Sequence, residues 1–192
     1  MTIAPSARAL HIRTTAAVPE MSRIFLAIPI PAAASTVLTN ATESYLSEVK
    51  DIMPNEKWHI TMTFLGEVKD FSQYLPEITA SLPQEYVSVV SVTHIGRGKK
   101  SDQLWAYVYK TPALEHIRVS IEERLISLGI SITNQEQQFI PHINLAHLKK
   151  AGKVTDTPCS LTFPVHEIGI YQSIPDGQTV QYNRLGDIAL TP

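Results

Sequence analysis

Hydrophobic positions fall along the chain in short runs broken by proline, glycine and charge, and the runs differ in period. Residues 23–29, Arg-Ile-Phe-Leu-Ala-Ile-Pro, form a continuous apolar stretch that predicts a buried strand, stopped by Pro29 and Pro31. Over 32–50, Val37, Leu38, Ala41, Tyr45, Leu46 and Val49 return at steps of three and four, the pattern of an amphipathic helix. Residues 57–66 predict a second strand. Residues 70–82 predict a second helix, with Tyr74, Leu75, Ile78 and Leu82 on one face and Pro76 in its first turns. Strands over 86–95 and 104–109 flank a basic loop, Gly96-Arg97-Gly98-Lys99-Lys100. A helix over 112–128 ends at Gly129, and a strand follows over 139–148. Strands over 161–171 and 179–188, joined through Pro175-Asp176-Gly177, close the chain. The order β-α-β-α-β-β-α-β-β-β has more strands than helices and no regular alternation, so it predicts an α+β fold rather than a doubly wound sheet.

Composition narrows the function classes. The chain has 192 residues, 44% of them apolar and 18% charged, which fits one folded domain and excludes wholesale disorder and coiled coil. No apolar run reaches the roughly 18 residues of a membrane span, so no membrane partner is expected. The formal charge of −2 argues against a broad basic surface for duplex nucleic acid but leaves room for a local anion site. Cys159 is the single cysteine, so a reducing, cytoplasmic setting fits and a thiolate zinc cluster does not. Residues 1–20 carry Arg8 and Arg13, no acid before Glu20 and no continuous apolar stretch. They are read as a disordered N-terminal extension ahead of a single domain over 21–192.

Of seven histidines, two sit in matching surroundings: Trp58-His59-Ile60-Thr61-Met62-Thr63-Phe64-Leu65-Gly66 and Pro141-His142-Ile143-Asn144-Leu145-Ala146-His147. Side chains alternate across a strand, so His59 shares a face with Thr61, and His142 with Asn144, while Ile60 and Ile143 point to the other side. Two imidazoles that titrate near neutrality can serve as a general acid and a general base. The hydroxyl or amide two positions on can donate to a phosphoryl oxygen held between them. Two histidines without thiolate or carboxylate partners fall short of a zinc site, so no metal or other cofactor is expected.

These segments resemble the two-histidine (2H) phosphoesterase superfamily, and within it the RNA 2′,3′-cyclic phosphodiesterase / 2′-5′ RNA ligase family. The likeness runs from about Arg23 to the C-terminus: residues 23–28 resemble the opening strand, the two histidine segments its two motifs, Leu104-Trp105-Ala106 its middle strand, and Ile170-Tyr171-Gln172-Ser173 with Gly177 and Tyr182 its closing hairpin. The resemblance implies a bilobal fold with a pseudo-twofold, two antiparallel sheets facing each other across a cleft with helices outside. It implies hydrolysis of a terminal 2′,3′-cyclic phosphate to a 2′-phosphate, with His59 as proton donor, His142 as proton acceptor, and Thr61 and Asn144 on the non-bridging oxygens. The reverse reaction is 2′-5′ ligation. RNA 3′ ends or small cyclic nucleotides are the implied substrates of a monomeric enzyme, and Arg23, Trp105, Tyr171 and His147 are candidates to bind them. Two positions depart from the pattern: Asn144 replaces a Thr or Ser, and His147 stands where relatives often carry an arginine. The departures keep two alternatives open, a catalytically weak RNA-end or nucleotide-binding module and a sibling phosphodiesterase acting on 2′-5′ oligoadenylate or a small cyclic phosphate.

Overall fold

A computed structural model describes residues 21–80, 88–99, 101–133, 138–150, 153–177 and 179–190. The expected disordered extension over 1–20 lies outside the described residues. The described strands are β1 (Met21–Pro29), β2 (Val49–Ile52), β3 (His59–Lys69), β4 (Ser88–Arg97), β5 (Gln103–Val108), β6 (His142–Leu148), β7 (Thr157–Val165), β8 (Glu167–Asp176) and β9 (Thr179–Ala189). The helices are α1 (Ala32–Thr42), α2 (Leu75–Ala80) and α3 (Pro112–Ser127). The fold is therefore α+β, mainly antiparallel sheet. No helix among the described residues is long and apolar enough to cross a membrane.

The strands form one nine-stranded sheet in the order β7-β4-β5-β6-β3-β1-β8-β9, with β2 added to β6. Two facing sheets were the expectation, and the observed ladder is continuous. Its centre is thin, however: β3 and β6 meet through the single pair Ile60↔Ile143, whereas β1 pairs with β3 along its whole length. The two histidine strands are thus neighbours at the middle of the sheet. Ile60 and Ile143 are both fully buried there, as alternation requires of residues that face away from the histidines.

Local chemistry explains most boundaries. In β1, Ile24 to Ile28 are all at most 3% exposed, because the strand lies inside the sheet and is covered on both faces. In α3, Thr111 Oγ1 accepts from Leu114 N at 3.1 Å, Pro112 sits in the first turn, and Gly129 at φ 77° ends the helix. Pro76 is the second residue of α2, where its missing N–H is tolerated.

Two element boundaries of the sequence reading are redrawn by long-range pairing. The helix expected over 32–50 stops at Thr42 and passes through a 3-10 turn, and Val49–Ile52 is strand β2. Leu46, placed on the helix's apolar face by periodicity, is 52% exposed, and Val49 is buried by pairing with Leu148 instead. The strand expected over 161–171 is two strands that part at His166. β7 runs along β4 at one end of the sheet, and β8 runs along β1 in the other half. Phe163, Val165, Ile168 and Ile170 are buried on both sides of the break, so the apolar run is continuous although the strand is not. Pro158 and Pro164 lie on β7, an edge strand, where a lost ladder donor costs little.

Candidate active site

Both histidine strands carry the same irregularity. Along β3, Ala27 pairs with Thr61 and Leu26 with Thr63, so Met62 has no partner across the ladder. Along β6, Trp105 pairs with Asn144 and Leu104 with Ala146, so Leu145 is skipped. Each bulge falls three residues after its histidine and resets the alternation. On β6 the consequence is that His147, paired with Gln103, returns to the face that carries His142 and Asn144. Without the bulge, alternation would place it on the opposite face.

His59, Thr61, His142 and Asn144 line one cavity of about 40 Å³, together with Met53, Lys57 and Tyr182. The imidazoles are held alike. His59 Nδ1 donates to the carbonyl of Lys57 at 2.7 Å, and His142 Nδ1 donates to the carbonyl of Ile140 at 2.7 Å. A carbonyl has no proton to give, so each Nδ1 carries the hydrogen and each Nε2 is left as the nitrogen that gains or loses a proton. Aromatic rings fix the planes. His142 stacks on Trp105 with centroids 3.6 Å apart at 18°, and His59 meets Tyr182 edge-on at 5.3 Å and Phe25 at 5.0 Å.

Burial pushes both imidazoles below the ordinary histidine value, against the bonds to Lys57 and Ile140 that raise them. His59 is lowered further by the charge of a protonated His142. An acid–base pair needs one ring protonated and one neutral. The pH profile of kcat/KM should therefore be a bell whose maximum lies on the acid side of about 6.5, with an alkaline limb that reports loss of the acid's proton. An anionic substrate favours imidazolium, so the alkaline limb of kcat should sit at higher pH than that of kcat/KM. Rates measured across pH 4.5–9 check both, and a flat profile would contradict the paired assignment.

Two larger grooves flank the small cavity. One, of about 680 Å³, shares Thr61 and His142 and continues along Phe64, Lys99, Trp105 and Phe139. The other, of about 480 Å³, shares His59 and Tyr182 and continues along Arg23, Phe25, Phe64 and Ser173. Grooves of several hundred Å³ are of nucleoside size, whereas the cavity between them suits only a small polar group. Trp105 is 9% exposed, with its Nε1 donating to Gln103 Oε1 at 2.9 Å, and its main partner is His142. Tyr171 stacks behind Phe25 at 5.3 Å and lines none of these cavities. His147 is exposed and lines none either. Arg97 of the basic loop is paired with Asp102 at 2.9 Å, Lys99 reaches the larger groove, and Lys100 lies outside the described residues.

Tyr182 and Lys57 were not singled out as site residues by sequence reasoning. Tyr182 stood only as part of the closing hairpin, and Lys57 is a lone charge before a strand. Burial raises the Tyr182 phenol, so it stays a neutral hydroxyl on the cavity wall. Among the described residues, no group of three or more His, Cys, Asp or Glu is gathered as metal ligands.

The structure brings the two histidine motifs read from the sequence to one cavity. No family model matches the chain. It is 27% identical over 130 residues to the RNA 2′,3′-cyclic phosphodiesterase of Methanocaldococcus jannaschii, covering 66% of this chain and 72% of that one. It is 24% identical over 169 residues to the Geobacillus stearothermophilus protein of the same name, covering 80% of this chain and 53% of that one, so the match spans about half of that relative. The fold is shared with TT0787 of Thermus thermophilus at a TM-score of 0.75, with 20% identity over 88% of this chain and 97% of that one. It is likewise shared with apo LigT of E. coli at 0.74, with 19% identity over 91% and 100%. The chain is thus similar in sequence to RNA 2′,3′-cyclic phosphodiesterases and shares the fold of TT0787 and LigT.

Proposed function

We propose that this protein is an RNA 2′,3′-cyclic phosphodiesterase that works by metal-independent acid–base catalysis. The observation that carries the reading is the matched pair of histidines on one cavity, each with Nδ1 tied to the carbonyl two residues upstream and Nε2 left to move a proton. In the reaction, His142 takes a proton from water as the water oxygen attacks phosphorus. His59 gives its proton to the departing 3′ oxygen, and a 2′-phosphate results. Thr61 donates to one non-bridging oxygen through its hydroxyl, and Asn144 to another through its amide. Asn144 Oδ1 is buried without a hydrogen-bond partner among the described residues, an acceptor left open to an O–H donor such as a water or a ribose hydroxyl while the amide NH2 donates to the phosphate.

The ribose whose 3′ oxygen leaves sits on the His59 side, in the groove with Arg23, Phe25 and Tyr182. With a 5′-hydroxyl in place of water, the same proton transfers give a 2′-5′ linkage. RNA 3′ ends and small cyclic nucleotides are the proposed substrates, acted on by a cytoplasmic monomer whose residues 21–192 form one domain. The halves of the sheet on either side of the Ile60–Ile143 contact act as two lobes related by a pseudo-twofold, each delivering one histidine.

A 2′,3′-cyclic nucleotide incubated with the protein in excess EDTA tests the proposal. Turnover to the 2′-phosphate at a rate unchanged by the chelator is the expected result. Turnover that EDTA abolishes and a divalent ion restores would reject acid–base catalysis by the histidines alone.

A further inference from the structure

A phosphodiester brings a negative charge into the cavity, and attack at phosphorus spreads more charge over its oxygens. Most of the cavity wall is neutral or titrating: Met53, Thr61, Asn144, Tyr182 and the two imidazoles. Among the described lining residues, Lys57 is the one lysine or arginine. The other cations of this face are engaged elsewhere. Arg118 pairs with Glu115 and Glu122, Arg97 pairs with Asp102, and Arg23 and Lys99 line the outer grooves. No described carboxylate forms an ion pair with Lys57.

The backbone of Lys57 is fixed at both ends. Its N–H donates to the carbonyl of Pro54 at 2.9 Å, and its own carbonyl accepts from His59 Nδ1. The corresponding position before His142 is Ile140, which offers the same carbonyl with an apolar side chain. The two histidines are therefore anchored alike, but the residue that anchors His59 is a lysine that lines the cavity, whereas the one that anchors His142 is apolar.

Resting on the cyclic phosphodiesterase reading, we propose that Lys57 is the phosphate-binding cation of this site, its ammonium holding a non-bridging oxygen while its carbonyl orients His59. A lysine ammonium supplies this as a compact point charge on a flexible stem, without the fixed fork of an arginine.

Substitution separates the two jobs, because every replacement keeps the backbone carbonyl and with it the anchor of His59. The full chain is compared as wild type, Lys57→Met and Lys57→Arg in two measurements. One is the affinity for inorganic phosphate, followed by the imidazole NMR signals of His59 and His142. The other is kcat/KM on a 2′,3′-cyclic nucleotide. Lys57→Met should weaken phosphate binding and lower kcat/KM by roughly 10- to 100-fold each, the scale of one charge-assisted hydrogen bond to phosphate. Lys57→Arg should recover most of both. Lys57→Gln repeats the comparison if methionine at this half-buried position impairs folding. Wild-type phosphate affinity in Lys57→Met, or no phosphate binding by the wild type, overturns the proposal. Phosphate binding that depends on Lys57 in a protein that opens no cyclic phosphate would leave this proposal standing and reject the catalytic one.

Discussion

Replacing His59 or His142 with alanine should each lower the turnover of a 2′,3′-cyclic nucleotide by about 10²–10⁴-fold, the usual worth of one positioned proton transfer. The two losses should be of similar order, because the two rings are held in the same way, by a carbonyl 2.7 Å from Nδ1, and line the same cavity. They should not multiply in the double variant. A phosphoryl transfer that has lost its base gains little from its acid, so the residues act as one unit. The direction of the pH change separates them. His142→Ala should remove the acid limb of the kcat/KM profile and His59→Ala the alkaline limb. The same limb vanishing in both variants would leave the assignment of donor and acceptor without support. A loss below 10-fold in either variant would remove that ring from the chemistry. Circular dichroism and thermal unfolding run beside the assays keep a folding defect from passing as a catalytic one.

The sequence made the histidine pair legible because each element of it is local. Alternation along a strand places His59 beside Thr61 and His142 beside Asn144, and the apolar residues between them must be buried, as Ile60 and Ile143 are. The small cavity needed only that both strands be neighbours. Positions that depend on pairing were not legible. His147 reaches the face of His142 only because Leu145 is skipped against β5, and nothing within residues 142–148 announces which residue the partner strand omits. Strand β2 hid inside a helical period because Val49 satisfies both patterns, and its pairing with Leu148 lies 99 residues away in the chain. The break at His166 has neither a glycine nor a proline at the junction itself. It is set by which distant strands, β4 and β1, each half finds. Lys57 escaped notice because its carbonyl and its side chain serve different ends, and only the first follows from its spacing to His59.

Trp105→Ala should cost about 3–5 kcal/mol of stability and lower kcat, with little change in KM. The indole is 9% exposed, with one face on His142 at 3.6 Å and its Nε1 bonded to Gln103 Oε1 at 2.9 Å. The rest of it is packed so closely against Gly98 that a Cβ there would lie 2.5 Å from its ring. Deleting it opens a cavity beside the proposed base and frees that imidazole to leave the geometry in which Nε2 meets the attacking water. Trp105→Phe keeps an aromatic face for His142 and loses only the Nε1 bond, so it should retain most of kcat at a smaller cost in stability. The alternative role for this ring is a stacking platform for the substrate's base. That role predicts a different pattern: a rise in KM that follows the stacking strength of the base, larger for purine than for pyrimidine cyclic nucleotides, with kcat spared. Steady-state kinetics of both variants on adenosine and cytidine 2′,3′-cyclic phosphates, with thermal unfolding of each, distinguish the two. A base-dependent KM effect with kcat unchanged would assign Trp105 to the substrate. A kcat effect equal for both bases, recovered by phenylalanine, would assign it to the histidine it covers.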